Sequence, residues 1–129
     1  MRAPRSPILA LALLCSCAPA VRATRLSAVP YEPRPADYPI RMYQSERPRC
    51  AFEEVGLVTS RQRNQLIPMD QVVEALRAQA RQLGGDAVVG VGESDQLQGA
   101  ALVGRSVIAD RDPVVSGTVI RFKDSECTE

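Results

Sequence analysis

Chemically reactive side chains are few in this chain of 129 residues, which has four cysteines and no histidine. Histidine is the commonest general base and the usual partner of a catalytic serine or cysteine, so its absence removes most acid–base and nucleophilic arrangements. We therefore predict no catalytic residues and a protein that is not an enzyme.

The carboxylates do not suggest a metal or catalytic pair either. Glu53 and Glu54 are adjacent in a predicted strand, so their side chains point to opposite faces. Asp110 and Asp112 belong to the sequence DRDP, where both could share one side of a turn. A solvated turn is the better interpretation, because a calcium site takes six or more oxygen ligands. The sequence predicts no metal site and no cofactor.

Two of the cysteines, Cys15 and Cys17, follow a predicted export signal. The first seven residues hold two arginines and no acidic residue, and an apolar run follows at 8–14. A basic start, a short apolar core and then small residues are the features of a secretory signal peptide. The run is too short to span a bilayer, which needs about 20 residues. We therefore expect an exported protein with a signal peptide at 1–16.

The sequence LCSC at 14–17 resembles the lipobox of bacterial lipoproteins. Leu14 is the apolar residue at position −3, Ser16 is the small residue at −1, and Cys17 is the cysteine that receives the lipid. In this interpretation Cys15 leaves with the signal peptide. Acyl chains on Cys17 would anchor the protein firmly, since each buried CH2 group contributes about 0.8 kcal/mol.

Ordinary signal peptidase is the alternative, cutting after Ala20 or after Ala23, and it would give a secreted or soluble periplasmic protein. A cytosolic metal site at Cys15 and Cys17 fits least, because a signal peptide precedes it and the chain has no histidine for a mixed site. Ala18, directly after the lipidated cysteine, resembles the signal for outer-membrane sorting, since the usual signal for inner-membrane retention is Asp at that position. We expect a lipid-anchored envelope protein, at the outer membrane if two membranes are present.

The segment at 17–38 is rich in proline and its apolar residues have no clear period, which is typical of an extended tether. About 20 flexible residues reach on the order of 25 Å, enough to hold a domain just off a membrane. The alternative is an arm packed on the domain, which Tyr31 and Tyr38 would pin in place.

Charge excludes a strongly basic nucleic-acid-binding protein. Without the signal peptide the 16 basic residues fall to 14, against 15 acidic ones, so no strong positive field attracts phosphate backbones. Four arginines would cluster only if their loops meet, and a solvated surface is the better interpretation of them: Arg47, Arg49, Arg61 and Arg63.

One small domain is predicted at 39–129, long enough for a single modest core. Its clearest element is an amphipathic helix, which begins near Pro68 and ends at Gly84, a residue suited to a left-handed C-cap. The sequence DRDP is expected to turn between the last two strands. The order is β-β-α-β-β-β, an α+β fold with a mostly antiparallel sheet and one main helix on one face. Its strands are predicted at 39–44, 51–60, 86–92, 101–109 and 114–122.

The phrases FEEVGLV, ALRAQARQLGGDAVVGV and GTVIRF resemble a loose group of bacterial envelope and stress domains. The group includes the YbjQ-like proteins, which are named for heavy-metal binding, and the sensor lipoprotein of the Rcs envelope-stress pathway. The resemblance covers about 50–123 and is sharpest at 76–91. It implies the α+β fold and carries no chemistry of its own.

Cys50 and Cys127 form the most informative pair. Cys50 precedes the second predicted strand and Cys127 follows the last, so neighbouring antiparallel strands would bring them together. In an exported protein two such thiols are usually oxidised, which predicts a disulfide. Two unpaired thiols are the alternative.

Two functions remain open from the sequence. The first is a non-enzymatic lipoprotein whose partners are the membrane, through its N-terminal lipid, and an unidentified envelope protein that it senses or helps to assemble. The second is a small-ligand or metal-binding domain in the periplasm or outside the cell, oligomeric as YbjQ-like proteins tend to be. No nucleic-acid partner is expected, and exposed strand edges would allow a homo-oligomer.

Overall fold

The computed structural model describes residues 18–103 and 106–127, with side chains described outside 95–110. The described elements form a five-stranded sheet in the order β1-β3-β5-β4-β2, with the helix on one face. The signal peptide predicted at 1–16, Cys15 and Cys17 lie outside the described residues. The elements are β1 (Ala20–Arg25), β2 (Arg41–Met42), β3 (Phe52–Arg61), α1 (Met69–Gln82), β4 (Ala87–Val103) and β5 (Ser106–Phe122).

Helix α1 forms where apolar residues recur at helical spacing. Val72, Leu76 and Ala80 are fully buried against the sheet. The chain leaves α1 through Gly84, whose φ of +76° is the left-handed conformation that glycine adopts without strain. A Cβ at Gly84 would lie 2.7 Å from the carbonyl oxygen of Glu32, so the N-terminal segment passes close to the helix end. The predicted α+β class, with one helix, is confirmed.

The sheet is mixed, because β2 pairs in parallel with β4 while the other three pairs are antiparallel. The order along the chain is β-β-β-α-β-β, which differs from the predicted β-β-α-β-β-β. One strand comes before the predicted set, and one predicted strand is divided between two observed strands.

The divided strand is the one predicted at 101–109: its first three residues end β4, which also contains nearly all of 86–92, and 106–109 begin β5, which continues through 114–122. The expected turn at 110–113 is wrong, since β4 and β5 remain paired up to Val103 and Ser106. Pro113 is tolerated inside β5 because its carbonyl accepts from the Gln62 N–H at 3.0 Å, just past the end of β3. The N–H that proline lacks would point to the same side, away from β4, so the hydrogen bonds between β4 and β5 are unaffected.

The additional strand is β1, which lies within the predicted tether at 17–38. It pairs antiparallel with β3, from Ala20 opposite Arg61 to Arg25 opposite Gly56. Most of its side chains are exposed, so it has no apolar pattern to reveal it. What β1 contributes is backbone hydrogen bonding along an edge of β3 that would otherwise be open. The fold thus begins well before the predicted domain boundary at residue 39.

Strands β4 and β5 continue together beyond the end of β3. β3 ends with Arg61 opposite Val114, while the pairing of β4 with β5 runs on to Val103 and Ser106. At about 3.3 Å per residue this ribbon, termed here the β-arm (95–103 and 106–113), projects on the order of 25 Å. In the part of the chain that the structure describes, no strand pairs with its outer edges.

Candidate functional site

Asp86 is a buried carboxylate that joins the N-terminal segment to the last strand. Its side chain is 7 % exposed. Oδ1 accepts from the Arg34 guanidinium at 2.6 Å and from the Tyr38 hydroxyl at 2.8 Å, and Oδ2 accepts from the Phe122 N–H at 2.9 Å. A buried anion is tolerated only with such donors. Arg34 also lies 4.9 Å from the centroid of the Tyr38 ring, so the two donors within the segment are packed on each other.

Tyr31 makes a second attachment of the same segment. Its hydroxyl donates to Glu53, and this hydrogen bond is the main reason that the pKa of Tyr31 is raised above its ordinary value. The Arg121 guanidinium lies 4.6 Å from the Tyr31 ring centroid and donates to the Gly84 carbonyl at 2.8 Å. Residues 31–38 are therefore packed on the domain, which is the alternative that the two tyrosines suggested.

Burial is the main cause that raises the pKa of Tyr38, and its hydrogen bond to Asp86 acts in the same direction. The tyrosine thus stays protonated and can donate throughout the neutral range. Asp86, Arg34 and Tyr38 form a structural contact and not an acid–base pair, because the carboxylate is already occupied by donors.

A different group of side chains gathers at the other end of the sheet, where β1 begins and β3 ends. A cleft of about 600 Å³ opens there. Thr59 and Arg61 alternate with buried Val58 and Ser60 along β3, so the cleft lies on the face opposite α1. It is termed here the arginine cleft. Three arginines and three hydroxyl side chains line it: Arg22, Arg61 and Arg63, and Thr59, Ser94 and Ser116.

The arginine cleft is positively charged. No described residue that lines it is acidic, although Asp112 lies beside it with Oδ2 3.8 Å from the Arg61 Nε. Arg22 and Arg63 are exposed to solvent. Guanidinium groups remain charged at all ordinary pH values and donate in a geometry that suits phosphate or carboxylate. The arrangement therefore suits an anion better than proton transfer.

The four arginines singled out in the sequence do not form one cluster. Arg61 and Arg63 line the arginine cleft, whereas Arg47 and Arg49 line a separate cleft beside β2, which also includes Glu46. Arg22 joins the first pair because the β1–β3 register places it opposite Thr59.

Cys50 and Cys127 are bonded, with their Cα atoms 6.2 Å apart. They lie at the end of the sheet away from the arginine cleft, next to the pair of Phe52 and Phe122. The Lys123 N–H donates to the Ala51 carbonyl at 3.0 Å, which extends the strand pairing up to the cysteines. The bond thus closes the far end of the β3–β5 pair.

The predicted carboxylates are scattered. Glu53 accepts from Tyr31, Glu54 is exposed, and Asp112 lies in β5 beside Arg61 instead of in a turn. The side chain of Asp110 lies outside the described set. Among the residues with described side chains, no three of the Cys, Asp and Glu type gather as a metal site would require. No described helix is long and apolar enough to cross a membrane.

Two features escaped prediction from the sequence. Asp86 stands directly before the buried run AVV, and an acidic residue at that point is a signal for a buried hydrogen-bonded carboxylate. Arg22 has no local signal, because only the pairing of β1 with β3 carries it to the cleft.

Comparison with known proteins leaves the family open. No family model matches the chain, and no curated protein matches it. A solved structure described as a Francisella virulence factor, FvfA, matches over 82% of this chain and 99% of that chain, with 11% sequence identity and a TM-score of 0.48. A likeness at this level carries no argument about function, and the resemblance to YbjQ-like proteins and the Rcs sensor stays a prediction.

Reduction of the Cys50–Cys127 bond should destabilise the domain by about 2–5 kcal/mol, because a separation of 77 residues leaves a long loop unconstrained in the unfolded chain. Urea unfolding with and without dithiothreitol measures the difference. The double variant Cys50→Ser, Cys127→Ser should unfold like the reduced protein, and its urea midpoint should be the same with and without the reductant. Equal midpoints for the wild type in both buffers would contradict the prediction.

Asp86→Ala should cost about 2–4 kcal/mol, because it leaves the Arg34 guanidinium, the Tyr38 hydroxyl and the Phe122 N–H without their acceptor. Chemical unfolding measures the loss. Asp37→Ala is the matched control at an exposed position of the same segment and should change stability by less than about 0.5 kcal/mol. Equal stability of the two variants would show that Asp86 does not hold the segment.

Proposed function

We propose that this chain is a non-enzymatic lipoprotein of the bacterial cell envelope. A lipid on Cys17 anchors it, and the α+β domain is presented to a protein partner close to the membrane surface. The proposal joins the lipobox of the sequence to the position of β1 in the fold.

The position of β1 is the observation that carries the proposal. The strand begins at Ala20 and has six residues. Ordinary cleavage after Ala20 would remove its first residue, and cleavage after Ala23 would remove four of the six. Cleavage before Cys17 leaves the strand whole. A mature protein that must cover the edge of β3 therefore favours the lipoprotein cleavage site.

The same geometry changes the expected distance from the membrane. Only three residue steps separate Cys17 from Ala20, a span of about 10 Å at full extension. The anchor thus holds the β1 end of the sheet against the membrane instead of on a long tether. The disulfide end of the sheet faces away.

The β-arm is the surface offered to the partner. Its outer edges carry backbone N–H and C=O groups that no described strand pairs with, and such edges accept an added strand. The segment from Cys17 to Ala20 spans only about 10 Å, whereas the β-arm projects about 25 Å from the same end of the sheet. The arm therefore does not fit perpendicular to the membrane, and it lies along the membrane surface or against a neighbouring protein. Unpaired edges are not tolerated in hydrocarbon, which favours a protein partner over insertion.

The metal-binding alternative from the sequence stays a prediction. No group of ligands among the residues with described side chains favours it.

Cys17→Ser should abolish membrane partitioning, because the acylated side chain is removed, while Cys15→Ser should leave it unchanged. Fractionation of envelopes with detergent phase separation measures the distribution of the full chain. The pair is matched, since both substitutions are conservative and only two positions apart. A wild-type protein that stays in the aqueous fraction would contradict the anchor.

Arg111→Pro should prevent the arm from pairing with a partner strand. Pro113 directs its carbonyl toward the outer edge of β5, where it meets Gln62, and the period of two gives residue 111 the same direction. Proline at 111 thus removes an outward N–H and keeps the β4 ladder. Chemical crosslinking of the full chain in intact envelopes should lose its protein adduct.

Arg111→Gln is the control for charge and should keep the adduct, because its backbone N–H remains. An unchanged adduct in Arg111→Pro would contradict pairing through the β5 edge of the arm, and no adduct in the wild type would contradict a protein partner at the arm.

A further inference from the structure

The arginine cleft lies at the end of the sheet that the proposed anchor would hold at the membrane. Ala20 is paired with Arg61, so the first residue of β1 and an arginine of the cleft are direct neighbours. Arg22 is two residues further along the same strand, and Arg63 follows the end of β3. A lipid on Cys17 would bring all three guanidinium groups to the depth of the headgroups.

The chemistry of the cleft fits a phosphate. Three guanidinium groups and the hydroxyls of Thr59 and Ser116 line one space of about 600 Å³, within the range of small-ligand sites. Arginine pairs bidentately with phosphate oxygens, and hydroxyl groups add further donors. Asp112 offsets part of the charge through Arg61, which leaves a positive excess from the two exposed arginines.

A leucine that is almost fully exposed to solvent lies in the loop that leaves this end of the sheet. Leu66, between the end of β3 and the start of α1, is 91% exposed. Its N–H bonds to the Asn64 side chain at 3.0 Å, which holds the loop in a turn with the leucine outward. Arg63 lies three positions before Leu66 in the sequence, and exposed apolar side chains beside basic ones are typical of surfaces that enter the headgroup layer. A soluble phosphate would give Leu66 no partner.

We propose that the arginine cleft binds the phosphate of an anionic lipid headgroup, with Leu66 entering the adjoining interface. The inference rests on the proposed function for the orientation of the domain, and it adds a second attachment that does not need the acyl chains. Lipid and cleft together would fix the rotation of the domain on the membrane, which one flexible anchor cannot do.

The test uses the chain without residues 1–17, because every described element begins after residue 19 and the acyl anchor is then absent. Co-flotation with phosphatidylglycerol vesicles is compared with phosphatidylcholine vesicles at 0.1 M salt, where the Debye length is about 10 Å. We expect binding to the anionic vesicles alone.

Arg22→Glu and Arg25→Glu form a matched pair on β1. Arg22 lines the cleft, whereas Arg25 lies at the opposite end of the strand and opposite Gly56. Each basic residue near an anionic surface contributes about fivefold in affinity, so a charge reversal at Arg22 should weaken flotation about 25-fold. Arg25→Glu should weaken it less than about twofold, since Arg25 lies outside the cleft.

Leu66→Ser and titration with inorganic phosphate separate the lipid from a free anion. Leu66→Ser should weaken vesicle binding and leave any calorimetric binding of inorganic phosphate unchanged. Equal binding to both kinds of vesicle, or equal losses in the two arginine variants, would overturn the proposal. Binding of inorganic phosphate without vesicle binding would also overturn it and assign the cleft to a soluble phosphate ligand.

These outcomes are independent of the anchor. Suppose the shortened chain fails to bind vesicles, while Cys17→Ser still releases the full protein from the envelope. The lipid-binding role of the arginine cleft is then refuted, and the lipoprotein proposal stands. The reverse result removes the lipoprotein and keeps the cleft.

Discussion

The buried charge of Asp86 is the constraint on which the rest of the structure depends. One carboxylate, 7 % exposed, must be matched by donors, and it takes them from two places far apart in the sequence. Arg34 and Tyr38 come from the N-terminal segment, and the Phe122 N–H comes from the end of β5. Because residues 31–38 are held in this way, the chain before them is carried along the edge of the sheet, where β1 pairs with β3.

The attachment of the N-terminal segment gives the domain two different ends. At one end lie Asp86, the C-terminus of α1 and the Cys50–Cys127 bond, which close the fold. At the other end lie the start of β1, the arginine cleft and the base of the β-arm. An anchor at Cys17 would therefore act on the second end alone.

The sequence predicts the parts of the fold that depend on side-chain pattern. Apolar spacing and Gly84 predict the helix. The expected ends of two neighbouring strands predict the pairing of Cys50 with Cys127. Strand β1 could not be predicted, because its contribution is backbone pairing and its side chains are mostly exposed. DRDP has turn composition, yet Pro113 sits where a missing N–H costs nothing. The arginine cleft depends on the β1–β3 register, so Arg22 could not be assigned to it.

The mature N-terminus is the point on which the account rests, and the intact mass of the protein purified from its native envelope measures it directly. We predict a chain that begins at Cys17, carries acyl chains and is two hydrogens lighter than its fully reduced form, because Cys50 and Cys127 are joined. A mass without lipid that begins at Val21 or Thr24 would contradict it, since the protein would then have lost part of β1 and its anchor together.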